Sequence, residues 1–262
     1  TICMNKSNFG GMENVGNTTI VTDAALIDEH TLDQTLMYAH AVIVHEFEHN
    51  QCGSETTMET PFDVWLNEAY TVDVERRFMA DMFDPAFIRL NQVDSIRSPL
   101  LGPLAIEDGG RAGRIVRDGF NDPDELIDGV TYVKAAEVIR MLRLIVGTKD
   151  FEAGKTLYFN RYKHGNANTD QFFQCFEEVS GISLDHFKEK WLYTIGYPNV
   201  VASSRYDAVR KEFAVRFRQE TPDSTGPFHI PIELALVDSE GDVIPETRRV
   251  FELQEESATL TF

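Results

Sequence analysis

Two histidines stand four apart, with a glutamate directly after the first, in His45-Glu46-Phe47-Glu48-His49. On a helix, residues four apart share one face, so both imidazoles can turn toward a single ion. Glu46 lies about 100° further round the helix and can reach a water on that ion without ligating it. Such a set offers hydrolysis at zinc: two imidazoles hold the ion and the carboxylate takes the proton of its water. A helix rich in charge and histidine could carry the same five residues by accident, so a third ligand has to be found. Glu68, in Trp65-Leu66-Asn67-Glu68-Ala69, would face the ion if a second helix packed antiparallel to the first across a turn at Gly53. On the residues alone it reads as readily as one more glutamate on a solvated helix face.

The elements that must position these residues are mostly helical. Residues 1–23, rich in Thr, Ile, Val, Gly and Asn, read as strand, loop and strand. From Thr31 the pattern turns helical: Thr31 and Gln34 have capping-box spacing, Leu36, Ala39, Val42 and Ile43 supply an apolar face, and the helix carries through His49. Residues 61–83 read as a second helix opened by Pro61. Further helices are expected over 131–146, 151–162, 170–179 and 184–195, with Gly147, Gly165, Gly181 and Gly196 as stops. Beyond about residue 203 the chain changes to short β-rich runs, with Ser239-Glu240-Gly241 as a turn signal. The expected class is α+β: a mostly helical domain over 1–203 with a small β-sheet at its start, then part of a β-sandwich over 204–262.

Composition narrows the partners. The chain has 262 residues, 42% hydrophobic and 26% charged, as expected of a globular protein with a sizeable core. Its 43 acidic residues outweigh 24 basic ones, giving a formal charge of −19. That surface repels phosphate backbones and anionic lipid, so neither nucleic acid nor membrane is an expected partner. No apolar run approaches the roughly 20 residues that cross a bilayer. The three cysteines, Cys3, Cys52 and Cys175, are odd in number and scattered, which fits a reducing, cytoplasmic compartment rather than a disulfide framework. The chain opens at Thr1 without methionine and is expected to be a processed or trimmed piece.

HEFEH, eighteen further residues, and the glutamate of WLNEAYT together resemble the zinc signature of the aminopeptidase N family of gluzincin metallopeptidases. FGGMEN at 9–14 is similar to that family's GxMEN exopeptidase motif, and GVTYVKAAEVIRML at 129–142 to its segment around the catalytic tyrosine. PFHIPIELALVDSEGDVIP at 227–245 resembles the start of its β-sandwich domain, especially in the bacterial aminopeptidase N branch. The four motifs cover nearly all of the chain in the family's order.

The resemblance implies a thermolysin-like catalytic domain with one Zn²⁺ per chain, held by His45, His49 and Glu68. It further implies Glu46 as general base and Tyr132 as the hydroxyl that stabilises the oxyanion. Glu13 would bind the substrate's free amine, Gly10 and Gly11 would admit an extended peptide, and Phe9 would line the pocket for its first side chain. Without the resemblance, Tyr132 reads as a packing residue, Gly10-Gly11 as a turn, Glu13 as a surface residue and Phe9 as core. Ala135 stands where the family usually has glycine, which puts the backbone near the tyrosine in question. The implied partners are peptides with a free N-terminal amine and other domains of a longer parent chain, because family members carry a β-domain before this region and the first strands of the catalytic sheet are expected to be missing. A gluzincin endopeptidase or other hydrolase, and a non-catalytic scaffold on the same fold, are the alternatives. Of the remaining residues, His40 is assigned to packing, His164, His186 and His229 have no partner at ligand spacing, Asn50 is assigned to orienting the site, and Glu48 to solvent.

Overall fold

The computed structural model describes residues 1–108, 113–222 and 225–262. It opens with β1 (Ile2–Met4), β2 (Gly11–Met12) and β3 (Thr19–Val21), in the order β1-β3-β2, with β1 parallel and β2 antiparallel to β3. The short α1 (Thr22–Ala25) leads to α2 (Asp33–Glu48), which carries both histidines of the motif on or just beyond its last turn. Ile20 and Ala24 pack with Ala39 and Val42 of α2 in a small core that fixes this helix against the sheet. The expected capping box does not form. Leu32 occupies the cap position without a side-chain bond, and the Thr31 hydroxyl instead accepts the Asp28 amide at 2.9 Å, closing the turn before the helix.

After β4 (Thr56–Met58), Pro61–Asp63 form a single 3₁₀ turn that runs into α3 (Val64–Met82). Residues 64 to 73 of α3 are buried all round, so this helix is the axis of the larger core. Two helices absent from the sequence expectation follow: α4 (Pro85–Arg97) and α5 (Pro103–Asp108). Val130–Lys134 form a π-helical turn ahead of α6 (Ala135–Val146), which buries Val138, Ile139, Leu142 and Ile145. Arg143 of α6 forks onto Asp73 of α3 at 2.5 and 2.9 Å, fixing the rotation of the two helices. Arg89 of α4 forks onto Glu137 of α6 at 2.8 Å for both bonds, and Arg76 of α3 reaches the same carboxylate at 2.8 Å.

The rest of the mostly helical part is α7 (Thr148–Arg161), the strand β5 (Gly165–Ala167), α8 (Thr169–Ser180) and α9 (Asp185–Leu192). β5 pairs parallel with β4, so Gly165 is a strand residue rather than a helix stop. Gly147 and Gly181, at φ of 80° and 71°, do end helices, as glycine allows without strain. Phe151, Phe173, Phe176 and Phe187 are fully buried where these helices meet α3. Each such ring contributes about 1.5–3 kcal/mol on burial.

The β-rich part has β6 (Asn199–Asp207), β7 (Glu212–Glu220), β8 (Ile230–Leu234), β9 (Arg249–Leu253) and β10 (Ser257–Thr261). They form an antiparallel β10-β7-β6 sheet and a β8-β9 pair, whose faces meet where the rings of Phe217 and Phe251 stack at 5.4 Å. β6 pairs with β7 along its whole length, so the expected boundary at 203 cuts a strand; a boundary before Asn199 keeps it whole. The class is the α+β arrangement of a mostly helical domain followed by part of a β-sandwich. No helix among the described residues is long and apolar enough to cross a membrane.

Candidate active site

The last turn of α2 and the first turns of α3 bring three donor atoms together. Nε2 of His45 and Nε2 of His49 are 3.0 Å apart, and each lies 3.3 Å from Oε2 of Glu68. Four ligands at the usual zinc distances of about 2.0–2.1 Å stand about 3.3 Å from one another in a tetrahedron, so this triangle has the dimensions of three of its corners. The ring orientations are fixed from behind. Nδ1 of His49 faces the Cys52 carbonyl at 2.8 Å, and Nδ1 of His45 faces Oε2 of Glu75 at 3.3 Å. A carbonyl and a carboxylate can only accept, so both Nδ1 atoms carry a proton, which leaves Nε2 of each ring as the atom that would ligate a cation. Gly53, at φ of 128°, turns the chain tightly enough to bring the Cys52 carbonyl onto His49.

Electrostatics agree with the geometry. Burial pulls His45 down, but Glu68 and Glu75 override it and carry it up to about 10. Burial raises Glu68, and the two histidines override that and hold it near 2. Oε2 of Glu68 is buried and faces the two histidine Nε2 atoms, the position of an oxygen that could ligate a cation with them. Borderline nitrogen donors and one carboxylate are a zinc donor set. Glu46 is 5% exposed, its Oε2 lacks a partner among the described residues, and burial raises it to about 7.

The sheet at the start of the chain supplies the opposite wall. Gly11 pairs with Ile20 so close to α2 that a Cβ added there would lie 2.5 Å from Cγ, Cδ and Oε1 of Glu46; one on Gly10 would lie 2.7 Å from the Tyr38 hydroxyl. Ligand atoms of Glu13, Glu46 and His49 lie within 4.8 Å of one another, so Glu13 stands beside both the Glu46 carboxylate and the triangle. Tyr132, on the π turn, stacks beside His45 with ring centroids 6.2 Å apart and planes 11° from parallel. Burial first, and then the Glu68 charge, hold its phenol above the usual value, so it stays protonated and can donate. Ala135, where the family usually has glycine, is fully buried at the start of α6.

Gly10, Gly11, Glu13, His45, Glu46, His49, Glu68 and Tyr132 border one cleft of about 1300 Å³, and Phe9 lies on its rim, 57% exposed. Thus every expected site residue, Phe9, Gly10, Gly11, Glu13, His45, Glu46, His49, Glu68 and Tyr132, is brought to one place. Five other lining residues were not expected. Glu75 lies seven residues after Glu68, two turns along the same helix face; Tyr38 lies seven before His45; and Phe87, Ile88 and Asn91 of α4 close one side. The i, i+7 spacing was the signal for the first two. Two lesser expectations change. Asn50 turns outward and donates to the Phe47 carbonyl at 2.9 Å, and Glu48 is half-buried rather than solvated. His40 packs its ring edge against Phe83, as expected.

Residues 1–191 match the peptidase family M1 domain, and 196–262 match a domain of unknown function, DUF3458, with an Ig-like fold. Aminopeptidase N of Escherichia coli is 32% identical over 245 residues, covering 91% of this chain and 28% of its own length. Aminopeptidase N of Caulobacter vibrioides is 34% identical over 203 residues, 77% of this chain and 23% of its own. The chain therefore spans about a quarter of the length of the curated relatives it matches. The crystal structure of Legionella pneumophila aminopeptidase A in complex with aspartic acid shares the fold, with a TM-score of 0.83 over 99% of this chain and 28% of that one, at 20% identity. The chain belongs to peptidase family M1.

Proposed function

We propose that this chain is the catalytic core of a zinc-dependent aminopeptidase that removes N-terminal residues from peptides. The observation that carries the reading is the triangle of His45, His49 and Glu68 with the buried, partnerless carboxylate oxygen of Glu46 beside it. His45, His49 and Glu68 would hold one Zn²⁺. A zinc bound there supplies Lewis acidity, polarising the scissile carbonyl and acidifying water. Glu46, raised to about 7 by its burial, is tuned to accept a proton from the attacking water and pass it to the departing amine. The Tyr132 hydroxyl, kept protonated, donates a hydrogen bond to the oxygen on which negative charge develops, a contribution that in comparable sites is worth about 3–4 kcal/mol.

Amine recognition falls to Glu13. A carboxylate beside Glu46 makes charge-assisted hydrogen bonds to a protonated α-amine and fixes the first peptide bond against the triangle. Gly10 and Gly11 leave the backbone bare for an extended substrate, and Phe9 on the rim meets the first side chain. The three cysteines are unpaired, one exposed and two buried, which fits action in a reducing, cytoplasmic setting within a longer multidomain protein.

The test is the dependence on a free amine. Aminoacyl-arylamides should be turned over, and their N-acetylated counterparts at least about 100-fold more slowly, as the loss of a charged hydrogen bond implies. Equal turnover of the two, or cleavage of internal bonds in blocked peptides, would contradict the aminopeptidase reading.

A further inference from the structure

Two buried charges take no part in the site described above. The side chain of Lys134 is 5% exposed and that of Glu107 fully buried, and they form an ion pair between the last residue of the π turn and α5. The Lys134 ammonium also donates to the Gly196 carbonyl at 3.2 Å, and the Gly196 amide lies 3.4 Å from the same Glu107 oxygen. Gly196 is confined to glycine: its φ is 88°, and a Cβ there would lie 2.7 Å from Cγ of Pro222. Three chain segments are thus closed into one ring of polar contacts: α5, the π turn, and the residue at which the Ig-like match begins.

A buried ion pair is a poor way to gain stability, because apolar residues of the same volume pack as well without the desolvation cost. What it adds is a fixed position. The turn it fixes is the one that presents Tyr132, two residues before Lys134. On a turn of four to five residues those two side chains leave on roughly opposite sides, one into the cleft and one into the clasp. The other end of the turn is gripped as well. Oδ1 of Asp128 accepts the Val130 and Thr131 amides at 3.0 and 3.1 Å, and its Oδ2 is held by Arg117 at 2.5 Å. The π turn is therefore clamped at both ends, with Tyr132 between.

We infer that Glu107, Lys134 and Gly196 form a positioning clasp that sets the height of the Tyr132 hydroxyl over the cleft. This rests on the reading of Tyr132 as the donor to the developing oxyanion. The clasp acts through Tyr132 and touches no substrate.

The test is a mutant cycle in the zinc-loaded protein, with kcat, KM and zinc content measured for each form. The variants are Lys134→Met with Glu107→Leu, Tyr132→Phe, and all three changes together. Replacing both charges by apolar residues avoids stranding one of them, and Lys134→Arg, which keeps the charge but displaces its head, is a second probe should the apolar pair fold poorly. Loss of the clasp should lower kcat about 10- to 100-fold, with KM within twofold and zinc unchanged. The triple variant should be no slower than Tyr132→Phe alone, because both losses pass through one hydroxyl. Parental kcat in the folded clasp variant, or losses that multiply in the triple variant, would overturn the proposal. Parental kcat in Tyr132→Phe would remove its foundation, and would be told apart by leaving zinc content and dependence on Glu46 untouched.

Discussion

Gly11→Ala is a one-carbon perturbation whose consequence can be worked from the structure. The added Cβ would lie 2.5 Å from Cγ, Cδ and Oε1 of Glu46, whereas carbon contacts settle at about 3.5–4.0 Å. Something must therefore give by about 1 Å. Glu46 is 5% exposed and can retreat only into the cleft it borders, and β2 is tied to β3 through Gly11 and Met12. If Glu46 moves, the base is displaced; if β2 moves, Glu13 goes with it. Displacing a catalytic group by about 1 Å costs on the order of 10²-fold, or about 2.7 kcal/mol in the barrier. Overpacking should also cost about 1–3 kcal/mol of stability. The assay is steady-state turnover of an aminoacyl-arylamide, with metal content and thermal midpoint measured on the same sample. The expected result is a protein that still binds zinc with kcat/KM reduced about 100-fold. Gly11→Ala with parental kcat, KM and midpoint would refute the tight apposition of β2 and Glu46.

Three further outcomes follow from the histidine environment. Glu75→Ala removes the carboxylate behind His45 Nδ1 and should weaken zinc binding about 10- to 100-fold in a chelator competition, while circular dichroism stays parental. Without metal, His45 is raised from 6.5 to about 10, so its contribution to stability is full below pH 6.5 and is lost as pH rises through 10. The metal-free midpoint should accordingly fall over that window. Zinc binding at pH 8 should release about one proton, read from the dependence of the calorimetric enthalpy on buffer ionisation heat; no release would contradict the assignment.

How much was legible in the sequence divides along physical lines. The two histidines were legible because they stand at helical spacing, whereas Glu68 read as readily as a surface glutamate until the family resemblance singled it out, and only the packing of one helix on the other brings it to them. The glycines of β2 were legible as a motif, but the reason for them, the Glu46 side chain against their backbone, needs a tertiary contact no spacing encodes. α4 was missed because it buries only Ile88 and so writes no apolar stripe, although it forms one side of the cleft. β6 was missed for the same reason: eight of its nine residues are exposed, leaving no alternation to read. The Thr31 capping box was over-read because Asp28 offered the hydroxyl a nearer partner. The clasp of Lys134 and Glu107 joins residues 27 apart with no pattern between them, and only the fold brings them together.

The central claim is that His45, His49 and Glu68 hold the metal while Glu46 moves the proton. Its most direct test measures zinc content and arylamide turnover side by side for the parent and for Glu46→Gln. One equivalent of zinc in both, with turnover in the parent alone, is the predicted result. A parent without zinc, or a Glu46→Gln variant that turns over as the parent does, would contradict the account.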